Sequence, residues 1–217
     1  MADFQLHCFA QSGHSYKAAL MLNLVGADWE PVFVDFFNGE GRTDAFRAIN
    51  PMGECPVLTM PDGTRHTQSG VMLDVLCRRF GRYGPDTEEE RLEILRWTLW
   101  ENHKLNSFQG MYRFMRTLAP EKVRNPDVTA FLRGRTLAAL QVLDAHLADR
   151  EWIAADRATT ADVACAGYLF YPRDEFGWTE EERFENIEAW QARVQALPGW
   201  AHPYDLMPGH PLPERAA

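Results

Sequence analysis

The chain lacks any apolar run near the ~20 residues needed to cross a bilayer. Its opening stretch, MADFQLHCFA, also lacks the basic region and apolar core of a secretory signal. The expectation is a cytoplasmic protein that spans no membrane. Basic residues are in short supply: 22 Lys and Arg against 31 Asp and Glu leave a net charge of −9. That balance disfavours nonspecific binding to nucleic acid or an anionic membrane, and any anionic ligand then needs a local positive site. The four cysteines, Cys8, Cys55, Cys77 and Cys165, never pair as C-x-x-C. This spacing predicts reduced thiols and excludes a disulfide framework or zinc site. The seven histidines form no ligand cluster, so no metal is expected. There is no internal repeat and no low-complexity segment.

What is present suffices for a core. The 217 residues are 46% hydrophobic, which allows one large domain or two small ones. Phe4 to Phe9 reads as a strand and Gln11 to His14 as a turn. A helix starts at Ser15 or just before it, with Ala18, Leu22 and Val25 on its apolar face and Gly26 closing it. Pro31 to Phe36 is a second strand, apolar enough for a buried parallel position. Thr43 to Ile49 is a short helix or turn.

The stretch Asn50 to Val71, NPMGECPVLTMPDGTRHTQSGV, then reads as turn, strand, turn, strand, helix start. Val57–Met60 and Arg65–Thr67 form a hairpin around Pro61-Asp62-Gly63. Cys55-Pro56 places a proline at a strand entry, where a cis bond would turn the Cys55 backbone outward to pair with an extended ligand. Ser69 stands where an N-cap would stand, and the N–H groups there suit a carboxylate. Together they fit a small peptide with a free carboxyl group, set against the plainer reading of an ordinary hairpin and cap.

Gly81 to Pro85 combines two glycines and a proline, and beyond it strand signals vanish. A long helix follows Thr87 to about Leu118, with Leu92, Leu95, Leu99 and His103 on one face. Val128 to Leu147 is another, with Leu132, Leu140, Leu143 and Leu147 inward. Thr159 to Asp162 is a capping box opening a small-residue helix, and Asn186 to Leu197 is a last amphipathic helix. The proline-rich tail from His202 is expected to be extended.

N-P-x-G-x-x-P-V-L, then D-G, then Q-S-x-x-x-L resembles the glutathione-binding half of the cytosolic glutathione S-transferases. Ser12 to Lys17, S-G-H-S-Y-K, resembles the S-G-N-C-Y-K of bacterial and plant serine-type members, and the Thr159 box resembles an N-capping motif of their helical domains. The resemblance implies an α/β thioredoxin-like N-terminal domain (β-α-β-α-β-β-α, residues 1–80), a linker over 81–87 and an all-α C-terminal domain over 88–217. It also implies a homodimer that joins the glutathione thiolate, as co-substrate, to a small hydrophobic electrophile. A glutathione-dependent isomerase or peroxidase, or a non-catalytic binding protein on the same fold, stays open.

By the same resemblance, Ser12 donates a hydrogen bond to the glutathione sulfur, with Ser15 as the competing serine. The thiolate is the nucleophile, so a donor that stabilises it is the chemistry required. Gln68 and Ser69 hold the γ-glutamyl end, the Cys55 backbone pairs with the cysteinyl unit, and Arg42 meets the glycyl carboxylate. Glu54 is a departure: similar sequences carry lysine there, and a carboxylate repels the ligand's carboxylates unless Arg42 or His66 compensates. Cys55 brings a second thiol to the pocket, able to form a mixed disulfide or to sit buried as a small hydrophobe. Phe108, Tyr112 and Met115 are the expected electrophile pocket between the domains.

Overall fold

The computed structural model describes residues 2–212. Its first part runs β1 (Phe4–Cys8), α1 (Gly13–Leu24), β2 (Trp29–Phe33), α2 (Asp44–Ile49), β3 (Val57–Thr59), β4 (Arg65–Thr67) and α3 (Ser69–Phe80). This is the expected β-α-β-α-β-β-α order. The sheet order is β2-β1-β3-β4, with β2 parallel to β1 and the other pairs antiparallel. Leu6 in β1 lies opposite Pro31 on one side and Leu58 on the other.

Period-two alternation decides the two faces of the sheet. Phe4, Leu6 and Cys8 are buried with Leu20, Leu73 and Leu76 of α1 and α3, while Val57 packs with Val34 and Phe46 on the α2 side. The second strand departs from expectation. It starts at Trp29, stops at Phe33 and lies at the sheet edge with Phe33 exposed. Pro31 has no N–H for a ladder on both sides, which an edge position tolerates and a central one does not. The third helix also begins one residue earlier than a Ser69 cap requires: Gln68 is the N-cap and Ser69 the first helical residue.

The remainder is helical: α4 (Glu88–Trp100), α5 (Asn106–Arg113), α6 (Pro126–Leu147), α7 (Thr160–Cys165), α8 (Arg173–Phe176), α9 (Glu185–Gln195) and α10 (Pro203–Leu206). A π-helical turn over Glu101–Leu105 joins α4 to α5, and another over Phe114–Leu118 follows α5. The long helix is therefore continuous but re-phased twice, as such turns do. Leu92, Leu95 and Leu99 share a face that points to solvent, while Ile94 and Trp97 turn inward. Leu132, Leu140, Leu143 and Leu147 of α6 are buried as expected. The tail is not simply extended: α10 occupies part of it, and residues 213–217 lie outside the described range.

Two buried polar groups lock the helical part to itself and to α1. Asp162 completes the capping box on Thr159, and its carboxylate also accepts from Ile153 N at 3.0 Å and Trp190 Nε1 at 2.9 Å. Lys17 of α1, fully buried, donates to Glu101 at 2.9 Å across the two parts of the chain. Such a pair offsets its desolvation only with good geometry and further hydrogen bonds, and Asn106 supplies one to the same carboxylate. Among the described residues no helix is long and apolar enough to cross a membrane.

Candidate functional site

A cleft of about 560 Å³ opens between the sheet and α5. The turn after β1 supplies its floor. Ser12 has extended backbone and caps α1, its Oγ accepting from Ser15 N at 3.1 Å. Capping uses only the acceptor side of the hydroxyl, which keeps its proton to donate, and Ser12 lines the cleft as well. Ser15, the competitor, is fully buried with its Oγ unpartnered among the described residues and does not line the cleft.

The stretch after α2 supplies a second wall. Cys55-Pro56 is a cis peptide, and Glu54, Cys55, Pro56, Gln68 and Ser69 all line the cleft with Ser12. Asn50 holds this loop by donating to the Glu54 carbonyl at 2.8 Å. Gln68 adopts φ +66, ψ 113, a conformation that costs a non-glycine residue of the order of 1–3 kcal/mol. Its amide reaches the Glu54 carboxylate at 3.2 Å. Strain of this kind persists where the surroundings enforce it, and such residues gather at ligand sites.

Charge in the cleft is sparse. Burial pushes the His14 imidazole down to about 3, with the Lys17 charge adding to the effect, so it is neutral across the physiological range. Burial, reinforced by the Glu40 charge, pushes the Cys55 thiol up to about 12. That thiol packs against the Val34–Phe46–Val57 cluster and is protonated, which favours its reading as a small hydrophobe. Arg42 stands on an exposed turn and is not in the cleft wall; His66 is half-buried in β4 and also lies outside it.

The far wall corrects an expectation. Phe108, Tyr112 and Met115 do not line this cleft. Tyr112 is buried, donates to the Phe176 carbonyl at 2.7 Å and packs in a separate aromatic cluster with Phe108 and Met115 at its edge. The cleft is faced instead by Ser107, Gly110, Arg113, Phe114 and Leu118. Those positions recur at helical spacing on the other side of the same helix, and choosing the bulkier aromatic and Met stripe selected its packing face. The loop after β2 adds Phe36 and Phe37, which sequence reasoning missed.

Tyr168 was also missed, and two glycines locate it. A Cβ on Gly13 would come within 2.7 Å of the Tyr168 ring, and one on Gly110 within 2.7 Å of its hydroxyl end. The ring is thus wedged between the residue after Ser12 and the middle of α5. Burial raises its pKa, so the hydroxyl stays protonated, while the Arg113 charge and the Gly13 backbone partly oppose the shift. The close approach of both backbones is the reason for glycine at each position.

Residues 11–79 match the glutathione S-transferase N-terminal domain family and residues 109–198 match its C-terminal domain family. A crystal structure of glutathione S-transferase from Pseudomonas fluorescens is 31% identical, with a TM-score of 0.85, covering 94% of this chain and 100% of that one. This chain belongs to the glutathione S-transferase superfamily. A possible glutathione S-transferase from Rhodopseudomonas palustris is 32% identical, with a TM-score of 0.86, over 97% and 93% of the two chains. Glutathione S-transferase F14 of Arabidopsis thaliana is 27% identical over 98% of this chain and 91% of its own length. Members of the superfamily similar to this chain also include the disulfide-bond oxidoreductase YfcG of Escherichia coli, 22% identical over 88% and 89%. Two structural neighbours are described as Ure2p in complex with glutathione and as Ure2p5 from Phanerochaete chrysosporium cocrystallised with 1-(S-glutathionyl)-2,4-dinitrobenzene. At 18% and 19% identity these two speak for the fold alone.

Proposed function

We propose that this glutathione S-transferase superfamily member binds glutathione and joins its thiolate sulfur to a small hydrophobic electrophile, whose leaving group departs. The observation that carries the reading is the placement of the Ser12 hydroxyl, at the start of α1, in one cleft with Cys55-Pro56 and Ser69. A hydroxyl donor with helix N–H dipoles behind it stabilises a thiolate. Lowering a thiol pKa by one unit takes about 1.4 kcal/mol, within the reach of one charge-assisted hydrogen bond. Gln68 and Ser69, at the N-terminus of α3, take the γ-glutamyl end, and the Cys55 backbone takes the cysteinyl unit. Phe36, Phe37, Phe114 and Leu118 provide the apolar side on which an electrophile rests. Residues 1–80 then serve as the glutathione domain and 88–217 as the electrophile domain, joined over 81–87.

A homodimer fits the outer surface. Val71 on α3 and Leu95 and Leu99 on α4 are exposed and line one groove of about 910 Å³, which meets the cleft at Gln68 and Asn102. An exposed apolar groove of this kind suits a second copy.

The test is calorimetric titration of glutathione, followed by turnover with 1-chloro-2,4-dinitrobenzene, in wild type and Ser12→Ala. Wild type is expected to bind in the micromolar to low-millimolar range. Ser12→Ala is expected to bind comparably and to lose about 10²–10³-fold in turnover, the usual effect of deleting one anion-stabilising donor. Unchanged turnover would overturn the role of Ser12. Glutathione binding without turnover on any electrophile would favour a binding protein, the reading to which Glu54 lends weight.

A further inference from the structure

After α10 the chain returns to the turn after β1 that floors the cleft. Pro208 accepts from Ala10 N at 2.8 Å, which places Pro208–His210 alongside the turn after β1. Gly209 lies so close to that turn that an added Cβ would stand 2.7 Å from Ala10 Cβ. At His210 the contact becomes reciprocal. Gln11 Nε2 donates to the His210 carbonyl at 2.7 Å, and Gln11 Oε1 accepts from His210 N at 3.1 Å. One side-chain amide therefore satisfies both backbone groups of a residue 199 positions away, and Gln11 immediately precedes Ser12.

The His210 side chain faces the other way, onto the loop after β2. Its ring stacks on Phe37 with centroids 4.4 Å apart and meets Phe9 and Phe33 edge-on. Nε2 accepts from Phe37 N at 3.4 Å, and Nδ1 faces the Asp35 carboxylate at 3.4 Å. The two contacts specify one tautomer: Nε2 bare and Nδ1 protonated. Phe37, so held, reaches Phe114 of the helical part at 6.0 Å, and both line the cleft. Phe36 stacks on Phe9 beside them at 4.9 Å. Phe36 and Phe37 belong to a loop with no ladder partners and stay more than a third exposed. Their position over the cleft therefore depends on what they lean against.

We propose that His210 is a positioning residue for the electrophile side of the cleft, holding Phe37 opposite Phe114 and bracing the Gln11–Ser12 turn through its backbone. The inference rests on the transferase reading for its functional consequence, but the brace itself is independent of any ligand. Neutral imidazole is the working form, because protonation at Nε2 removes the acceptor for the Phe37 amide. The charged groups facing the ring are Asp35 and, beyond it, Glu40, whose carboxylate accepts from Asp35 N at 2.6 Å. Burial lowers the pKa of His210 and Asp35 partly opposes this, so the neutral form prevails at neutral pH.

The test compares wild type, His210→Ala and His210→Gln in the full chain. A glutamine amide can accept from Phe37 N and donate to Asp35, so it replaces the neutral tautomer without the ring. In the unliganded proteins, hydrogen exchange at the Phe37 amide is expected to be about tenfold faster in His210→Ala, the size of one lost hydrogen bond, and near wild type in His210→Gln. Equal protection in all three would overturn the inference whether or not glutathione binds. With ligands, His210→Ala is expected to weaken 1-(S-glutathionyl)-2,4-dinitrobenzene by about five- to tenfold and glutathione by less than about twofold, with His210→Gln restoring the conjugate. Equal weakening of both ligands would reduce His210 to a structural support and overturn its role in electrophile placement. A wild-type protein that binds no glutathione but shows the expected exchange pattern would overturn the transferase reading and leave the brace standing.

Discussion

The buried guanidinium of Arg113 donates to the carbonyl of Gln11 at 2.7 Å, which ties the middle of the helical part to the residue before Ser12. The same group pairs with Glu175 at 2.6 Å, donates to Tyr204 Oη at 2.7 Å and lies 3.9 Å from the centre of the Tyr171 ring. Tyr171 in turn donates to the Ala10 carbonyl at 2.5 Å. The turn that carries Ser12 is thus set by side chains more than a hundred residues away in sequence.

Removing Arg113 takes from the buried Glu175 carboxylate the guanidinium that pairs with it at 2.6 Å. Arg113→Met is expected to lose about 3–5 kcal/mol of stability, and replacing Glu175 with leucine as well is expected to recover part of that loss. Urea unfolding of the single and double variants measures both. A single variant as stable as wild type would show that the pair does not hold the turn.

His14 gives stability a pH dependence of known sign. Its folded pKa is about 3, against 6.5 when unfolded. Between those values the unfolded chain binds a proton that the folded chain refuses, so stability is full above 6.5 and falls as pH drops towards 3. His14→Asn is expected to flatten that part of the curve. It is also expected to leave the rise of turnover with pH unshifted, because a group neutral throughout cannot supply it. A displaced activity limb in this variant would make His14 the titrating group.

Among the described residues Glu54 is the only acid in the cleft wall, and glutathione carries two carboxylates and one ammonium. Glu54→Lys is expected to tighten glutathione binding by about 1 kcal/mol, roughly fivefold, since the position is exposed and screened. Calorimetry reads this directly. Weaker binding would instead place the γ-glutamyl ammonium against Glu54, beside the Gln68 amide that already contacts it.

Asp162 receives four donors: Ile153 N and Trp190 Nε1 on Oδ1, and Thr159 N and Oγ1 on Oδ2. In Asp162→Asn one side of the group becomes an NH2 that cannot accept, leaving buried N–H groups unpaired. A loss of about 2–4 kcal/mol is expected in chemical denaturation, with the cleft beside Ser12 unaltered in the protein that remains folded. A variant within about 0.5 kcal/mol of wild type would mean that the loop around Ile153 relaxes to satisfy its own donors.

Much of the fold could be read from local chemistry. The hairpin at Pro61-Asp62-Gly63, the caps at Thr87 and Thr159 and the inward stripe of α6 each follow from a few neighbouring residues, because turn preference, capping and periodicity act over one or two turns. The N-P-x-G-x-x-P-V-L and Q-S motifs likewise marked one wall of the cleft, since those residues are contiguous in the chain. By itself, then, the sequence determined the element order, the family and the loop that lines one side of the cleft. Tertiary structure decided the rest. The edge position of β2 depends on which strand pairs with β1, and the face of α5 that meets the cleft depends on two π-helical turns and on what packs behind Tyr112. The seat of Tyr168 between Gly13 and Gly110, the reach of Arg113 to Gln11 and the return of His210 to the same turn join residues 58 to 199 positions apart. Such contacts are fixed only when the core closes, because their energy comes from burial and shape shared across the whole molecule.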